Sequence, residues 1–355
     1  MIIFNKINKI INHQRLILAD KIMSYCLDKE IDKVFLAKFI FNIYNKLIKD
    51  VYVLEHKKAV HHYIPKFLLK RFSIPRTGQI YQYGYFKKNN PISIYKEAAC
   101  TPNLYSFRDK ETKQQSDFIE KQIFALTLEK YTSRIINKII KNDEINLTNF
   151  ERSILTSFIA FQYTRTPKFF LQIRLILEYL SLEKKINIEE MTKKDFFKKA
   201  LFDNYYNINP VEYFKFTNKN NQSLVGMENL IIKISILTAD YLSGLLYKYE
   251  LRMLESKEPA FFYLSDSPAN IYDINEFRSL GIFLWELNQN FLIYLPITIN
   301  RCLYYIKPNS DIKPYIIGGI IEEAILSSIF EFAYSDRKDK IIESFFEEVD
   351  NFTTQ

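Results

Sequence analysis

The chain has 355 residues, 48% hydrophobic and 25% charged, with a formal net charge of +8 and a pI near 9.0. That much apolar material can bury a sizeable core, so the composition predicts a globular chain. No segment reaches about 18 uninterrupted apolar residues, which argues against a membrane-spanning helix. The excess of Lys and Arg favours an anionic partner, nucleic acid or a membrane surface, through salt-sensitive attraction. A bias toward Lys, Ile, Asn, Phe and Tyr with only 7 Gly could equally come from AT-rich coding without selection for binding. Cys26, Cys100 and Cys302 are far apart and odd in number. They suggest neither a disulfide framework nor a paired-cysteine metal site and fit a reducing cytoplasm. The opening MIIFNKINKI has Asn and Lys where a signal peptide needs its apolar stretch.

Residues 1–55 carry apolar side chains at helical spacing, among them Ile31, Val34, Phe35 and Ile40, and read as two amphipathic helices. They form an N-terminal extension that packs on the core or, less simply, lies on a membrane. KAVHHYIPKFLLKRFS (58–73) follows and spends two of the four histidines side by side, just before Pro65. Proline suits the first turn of a helix, which places His61 and His62 near a helix N-terminus. The partial positive charge there disfavours imidazolium, leaving a neutral base or metal ligand; the alternative is a cap or a packed ring.

QIYQYGYF (79–86) and ISIY (92–95), separated by KKNNP, read as a β-hairpin. No acidic residue stands between Glu55 and Glu97, whereas Lys66, Lys70, Arg71 and six further basic residues do, with Tyr63, Tyr81, Tyr83 and Tyr85 interleaved. Cations for phosphates and rings for bases are what single-stranded nucleic acid requires. The same residues also make an ordinary hairpin core with a solvated face.

From Ser116, a candidate cap, a helix through DFIEKQIF runs toward Ile140. Thr148 and Glu151 have the spacing of a capping box and open a second helix to Arg165, where Thr166-Pro167 marks a boundary. Residues 182–222 are more polar and read as shorter helices and a loop. A long helical period covers 225–255. Strands resume in PAFFYLSDSP, GIFLWEL, NFLIYLPIT and RCLYYIK, and residues 322–346 read as a helical, acidic tail. The whole is an α+β chain, mostly α-helical, with a hairpin near 79–95 and a small sheet from 260–306. One domain spans 56–346, followed by a tail, 347–355.

The chemistry-bearing candidates are few. Asp266, at a strand end between two serines, is placed like a catalytic or metal-binding carboxylate, or like an Asx turn. Glu120 and Arg165 flank core-facing helical stripes; Arg165 is a structural ion-pair partner or a phosphate clamp. No Gly-rich phosphate loop, zinc-protease motif, nucleophile elbow or kinase signature is present.

HHYIPKFLLKRFS, TPNLYSF (101–107), DFIEKQIF, ERSILTSFIAFQYTRTP (151–167) and FFYLSDSP (261–268) occur in an order that resembles the bacterial and fungal family called domain of unknown function 4238. The resemblance covers roughly residues 57–345 and picks out His61, His62, Pro65, Asn103, Tyr105, Glu120, Arg165, Asp266 and Pro268. It implies no activity.

Two functions are therefore expected. One is a nuclease-like hydrolase of phosphodiester bonds. In it His62, with His61 as alternate, is the general base or a metal ligand, and Asp266 and Glu120 bind a divalent cation such as Mg²⁺ or Mn²⁺ or orient the imidazole. Asn103, Arg165, Tyr105, Lys70 and Arg71 hold the substrate. The other is a non-catalytic module that binds nucleic acid or an acidic protein, with His61, His62 and Asp266 serving the fold.

Overall fold

The computed structural model describes residues 60–84, 92–108, 115–117, 119–170, 172–173, 228–256, 261–274, 278–279, 291–310, 312–329, 332–340 and 342–346. The expected helices of 1–55, the polar stretch 182–222, the strand GIFLWEL and the tail 347–355 lie outside them.

The molecule is a mixed α+β structure in which helix outweighs strand. It opens with β1 (Val60–His62), the four-residue helix α1 (Lys66–Leu69) continuing into a 3₁₀ turn to Phe72, and strands β2 (Gln79–Gly84), β3 (Ile92–Ile94), β4 (Cys100–Pro102), β5 (Phe107–Arg108) and β6 (Gln115–Ser116). A π-helical segment (Ile119–Glu129) then runs into α2 (Lys130–Asn142), followed by α3 (Asn149–Thr164) and α4 (Glu228–Leu246). The C-terminal part holds β7 (Glu250–Glu255), β8 (Leu264–Ser265), β9 (Asn270–Asp273), β10 (Arg278–Ser279), β11 (Phe291–Thr298), β12 (Arg301–Ile306), α5 (Pro314–Ser328) and β13 (Phe332–Ser335).

The five-stranded antiparallel sheet β10-β9-β11-β12-β7 explains the continuous apolar runs in FLIYLPIT and RCLYYI. Successive side chains of a strand point to opposite faces. Ile293, Leu295, Leu303 and Tyr305 enter one core with Leu155, Phe158 and Ile159 of α3 and Ile232 and Leu242 of α4. Leu292, Tyr294, Cys302, Tyr304 and Ile306 enter a second core under Ile317, Ile320, Ile321, Ala324 and Ile325 of α5. Both faces are covered by helices, so both faces are apolar. A second sheet, β3-β2-β13-β8, joins the expected hairpin to two strands from the far end of the chain. Two short pairs complete the strands, β1 with β4 and β5 with β6.

α3 begins where the capping box predicts. Glu151 N–H donates to Thr148 Oγ1 at 3.2 Å and Thr148 N–H donates to Glu151 Oε2 at 2.9 Å, an arrangement worth about 1 kcal/mol.

Four expectations are corrected. The helix expected over 225–255 stops at Leu246, because Glu250–Glu255 pairs along its whole length with β12 and starts the sheet ten residues earlier than expected. The helical tail is broken by β13, which is held on both sides by β2 and β8. Consequently β8 belongs to the hairpin's sheet and not to that of β11. Ser116 caps no helix; it pairs with Phe107 across β5 and β6. Among the described residues no helix is long and apolar enough to cross a membrane.

Candidate functional site

His61 and His62 lie on a strand, not at a helix N-terminus, and α1 is too short to carry a useful dipole. β1 pairs with β4 so that His61 faces Thr101 and His62 faces Cys100. Strand alternation then turns the two imidazoles to opposite faces.

His61 is 1% exposed and fully engaged. Its Nδ1 sits 2.9 Å from the Tyr105 backbone N–H, which can only donate, so Nδ1 is the acceptor and Nε2 carries the proton. Nε2–H donates to Asp117 Oδ1 at 3.2 Å, and the ring stacks on Tyr105 at 5.6 Å, 3° from parallel. Asp117 Oδ1 also accepts the Ser106 hydroxyl at 2.7 Å, while Lys121 Nζ stands 3.8 Å from Oδ2. Asn103 prepares this geometry through its backbone. It occupies the left-handed region at φ +57°, which Asn tolerates well, and its carbonyl accepts Ser106 N–H at 3.1 Å. The turn aims the Tyr105 amide at His61. Burial lowers the His61 pKa despite Asp117, so the ring is neutral.

Arg165 ties three elements together from the C-cap of α3. Nε donates to the Tyr63 carbonyl at 3.0 Å, Nη2 to the His62 carbonyl at 3.3 Å and Nη1 to Glu129 Oε1 at 2.8 Å. The guanidinium lies over the Phe124 ring at 4.7 Å, and the Arg165 carbonyl accepts the Tyr105 hydroxyl. Arg165 is 1% exposed, and this position is that of a buried tie. Its charge holds the turn behind His62.

The π-helical segment supplies two carboxylates to this arginine. Glu120 and Glu129 are nine residues apart, about two and a half turns of an α-helix, which would place them on opposite faces. Winding through i→i+5 bonds takes more residues per turn, and both carboxylates act on Arg165 and on each other. Burial raises Glu120 to about 7, opposed by the Arg165 charge and the His62 backbone amide. Its Oε2 is buried with no hydrogen-bond partner.

His62 is 8% exposed and only half engaged. One nitrogen, Nε2, donates to the Lys96 carbonyl at 2.8 Å, which leaves the Nδ1 lone pair without a partner among the described residues. Burial lowers its pKa from 6.5, with Lys66 and Arg165 adding to that shift and Glu129 and the Lys96 bond opposing it. The result is a neutral imidazole with an open basic nitrogen, for a different reason than the helix dipole the sequence suggested.

Asp266 stands apart from this centre. Its Oδ2 accepts Phe332 N–H at 2.9 Å and its own N–H donates to the Phe332 carbonyl at 2.9 Å, clamping β8 to β13. It makes no hydrogen bond or ion pair with His61 or His62. It acts on Lys168, whose amine burial pushes down against the pull of Asp266. Among the described residues no group of three or more His, Cys, Asp and Glu is placed to hold a metal ion, so His61, His62 and Asp266 are not assembled as ligands.

The basic strip is partly internal. Lys66 and Lys70 are exposed, but Arg71 donates from Nη2 to Asn137 Oδ1 at 2.8 Å. Tyr63 and Tyr83 are buried, with the Tyr83 hydroxyl donating to the Arg337 carbonyl at 3.1 Å, so neither ring is free to stack on a base. Sequence reading passed over Asp117, Ser106 and Glu129. The first of these lay in view in DFIEKQIF, three residues before Glu120.

No curated protein and no solved structure matches the chain. Residues 60–324 match the model of the family described as protein of unknown function (DUF4238), a span that holds His61, His62, Glu120, Arg165 and Asp266. The chain is a member of that family.

Proposed function

We propose that the chain is a hydrolase acting on phosphodiester bonds of an anionic polymer such as nucleic acid, with His62 as general base. The observation that carries this reading is the open Nδ1 of a neutral, nine-tenths buried imidazole whose other nitrogen is fixed by a carbonyl. Such a nitrogen can take a proton from the attacking water or hydroxyl. Glu120, near half protonation at neutral pH with one unpaired oxygen, gives a proton to the leaving oxygen. Lys66, Lys70 and Lys96 draw the polyanion to the surface beside them. Arg165 and the His61 network hold the His62 strand and take no part in the chemistry.

The pH dependence follows from the two shifts. The base must be deprotonated, so the rate rises through a value below 6.5; the acid must be protonated, so the rate falls above about 7. The test is incubation of labelled RNA and DNA with the wild type, His62→Asn and Glu120→Gln, with Mg²⁺, Mn²⁺ or EDTA, across that range. Cleavage by the wild type in a narrow bell, lost in His62→Asn and without its alkaline limb in Glu120→Gln, supports the reading. A folded wild type that cleaves neither polymer overturns it in favour of a non-catalytic binding module. The complete engagement of His61 is the observation that favours that second reading.

A further inference from the structure

Cys100 lies directly opposite His62 in the β1–β4 pair. Residues facing each other across an antiparallel pair share a face of the ladder, with Cβ atoms about 5 Å apart. The thiol is partly exposed and donates to the Glu97 carbonyl at 3.1 Å, one residue along from the Lys96 carbonyl that fixes His62. Lys66 acts on both side chains from α1. A partly exposed thiol and an imidazole 92% buried with one nitrogen unpartnered therefore stand opposite each other on one face of the ladder, within the field of a lysine ammonium.

We propose that Cys100 is a modification site, a thiol that with His62 as its base forms a mixed disulfide with low-molecular-weight disulfides. In the exchange, the S–H turns from the Glu97 carbonyl to His62 Nδ1, which takes its proton, and the Cys100 sulfur attacks one sulfur of the reagent, breaking its S–S bond. Cys100 is oxidised to the mixed disulfide; the departing half is reduced and leaves as a thiol with the proton from His62. The adduct stands across the ladder from His62. That it also stops hydrolysis rests on the function proposed above, whereas the thiol chemistry does not.

Burial raises the Cys100 thiol pKa, partly offset by Lys66, so a spontaneous thiolate is scarce at neutral pH and the reaction depends on the neighbouring base. Cys302, fully buried, is the internal control.

The test uses the full chain carrying Cys26→Ser, treated with glutathione disulfide at neutral pH and mapped by mass spectrometry. Modification of Cys100 with Cys302 untouched, slowed about tenfold or more by His62→Gln, is the expected result. Lys66→Gln slows it by about twofold or more through loss of the nearby charge. Equal rates in the wild type and a folded His62→Gln overturn the proposal, as does faster modification of Cys302. The wild type alone decides the matter if His62→Gln does not fold. A rate that levels off above the His62 titration, below 6.5, supports His62 as base; one that keeps climbing toward the ordinary thiol value of 9.0 overturns it. Failure of nucleic-acid cleavage alongside normal Cys100 exchange would overturn the hydrolase and leave this proposal standing.

Discussion

Two adjacent residues of one type have opposite surroundings here. His61 faces a closed network in which both ring nitrogens, the Asp117 carboxylate and the Tyr105 ring are mutually engaged. His62 faces the other side of the same strand with one nitrogen unused and a thiol across the ladder. Both have lowered pKa values with burial as the largest cause. Burial alone therefore does not separate the two histidines; the count of occupied ring nitrogens does.

The strongest way to break this contrast is to attack the closed side. Arg165→Ala leaves Glu129 beside a buried cavity without its partner and should cost about 3–5 kcal/mol in urea unfolding, as broken buried ion pairs do. A loss below about 1 kcal/mol would show that Arg165 is not the tie described.

Glu120 provides a sharper test through pH. Its folded pKa, about 7, is raised above the 4.5 of an ordinary carboxyl, so between these values the folded state holds more protons than the unfolded one and stability falls as pH rises. The loss is on the order of 3 kcal/mol across that window. His61 and His62 work the other way, their lowered values removing stability as pH falls below 6.5. Glu120→Gln should abolish the decline in the unfolding midpoint as pH rises from 4.5 to about 7 and keep the loss that the histidines cause as pH falls. An unchanged slope across that window would place the raised carboxyl elsewhere.

How much of this was legible in sequence follows the distance between partners. The Thr148–Glu151 box joins residues three apart, and the continuous apolar runs of β11 and β12 lie within eight, so both could be read directly. Leu251 and Leu254 keep helical spacing with the helix before them, and only their pairing with β12 makes a strand of 250–255. The resemblance named His61, His62, Glu120 and Arg165, but their roles depend on contacts 56 to 103 residues apart, such as His61 to Asp117 and Arg165 to His62. The pairing of His62 with Cys100 and the π winding that turns two glutamates toward one arginine leave no periodicity to read.

Smaller effects refine the two sides. Asn103→Ala should destabilise by about 1 kcal/mol, because alanine resists the left-handed backbone, while Asn103→Gly should cost less. Equal losses would assign the side chain, and not the backbone, as the reason for Asn. Lys70→Ala should leave stability within about 0.5 kcal/mol and lower the salt slope of nucleic-acid binding by about one, since an exposed lysine contributes at most one phosphate contact. An unchanged slope would remove Lys70 from the binding surface.

The most direct measurement is a paired comparison of His61→Gln and His62→Gln, each followed by thermal unfolding and by cleavage of labelled RNA and DNA at pH near 6.5. The account predicts a marked fall in melting temperature for His61→Gln, and for His62→Gln a near-native melting temperature with cleavage lost. Equal destabilisation by both replacements, or cleavage that survives the loss of His62, would contradict the division of labour between the two histidines.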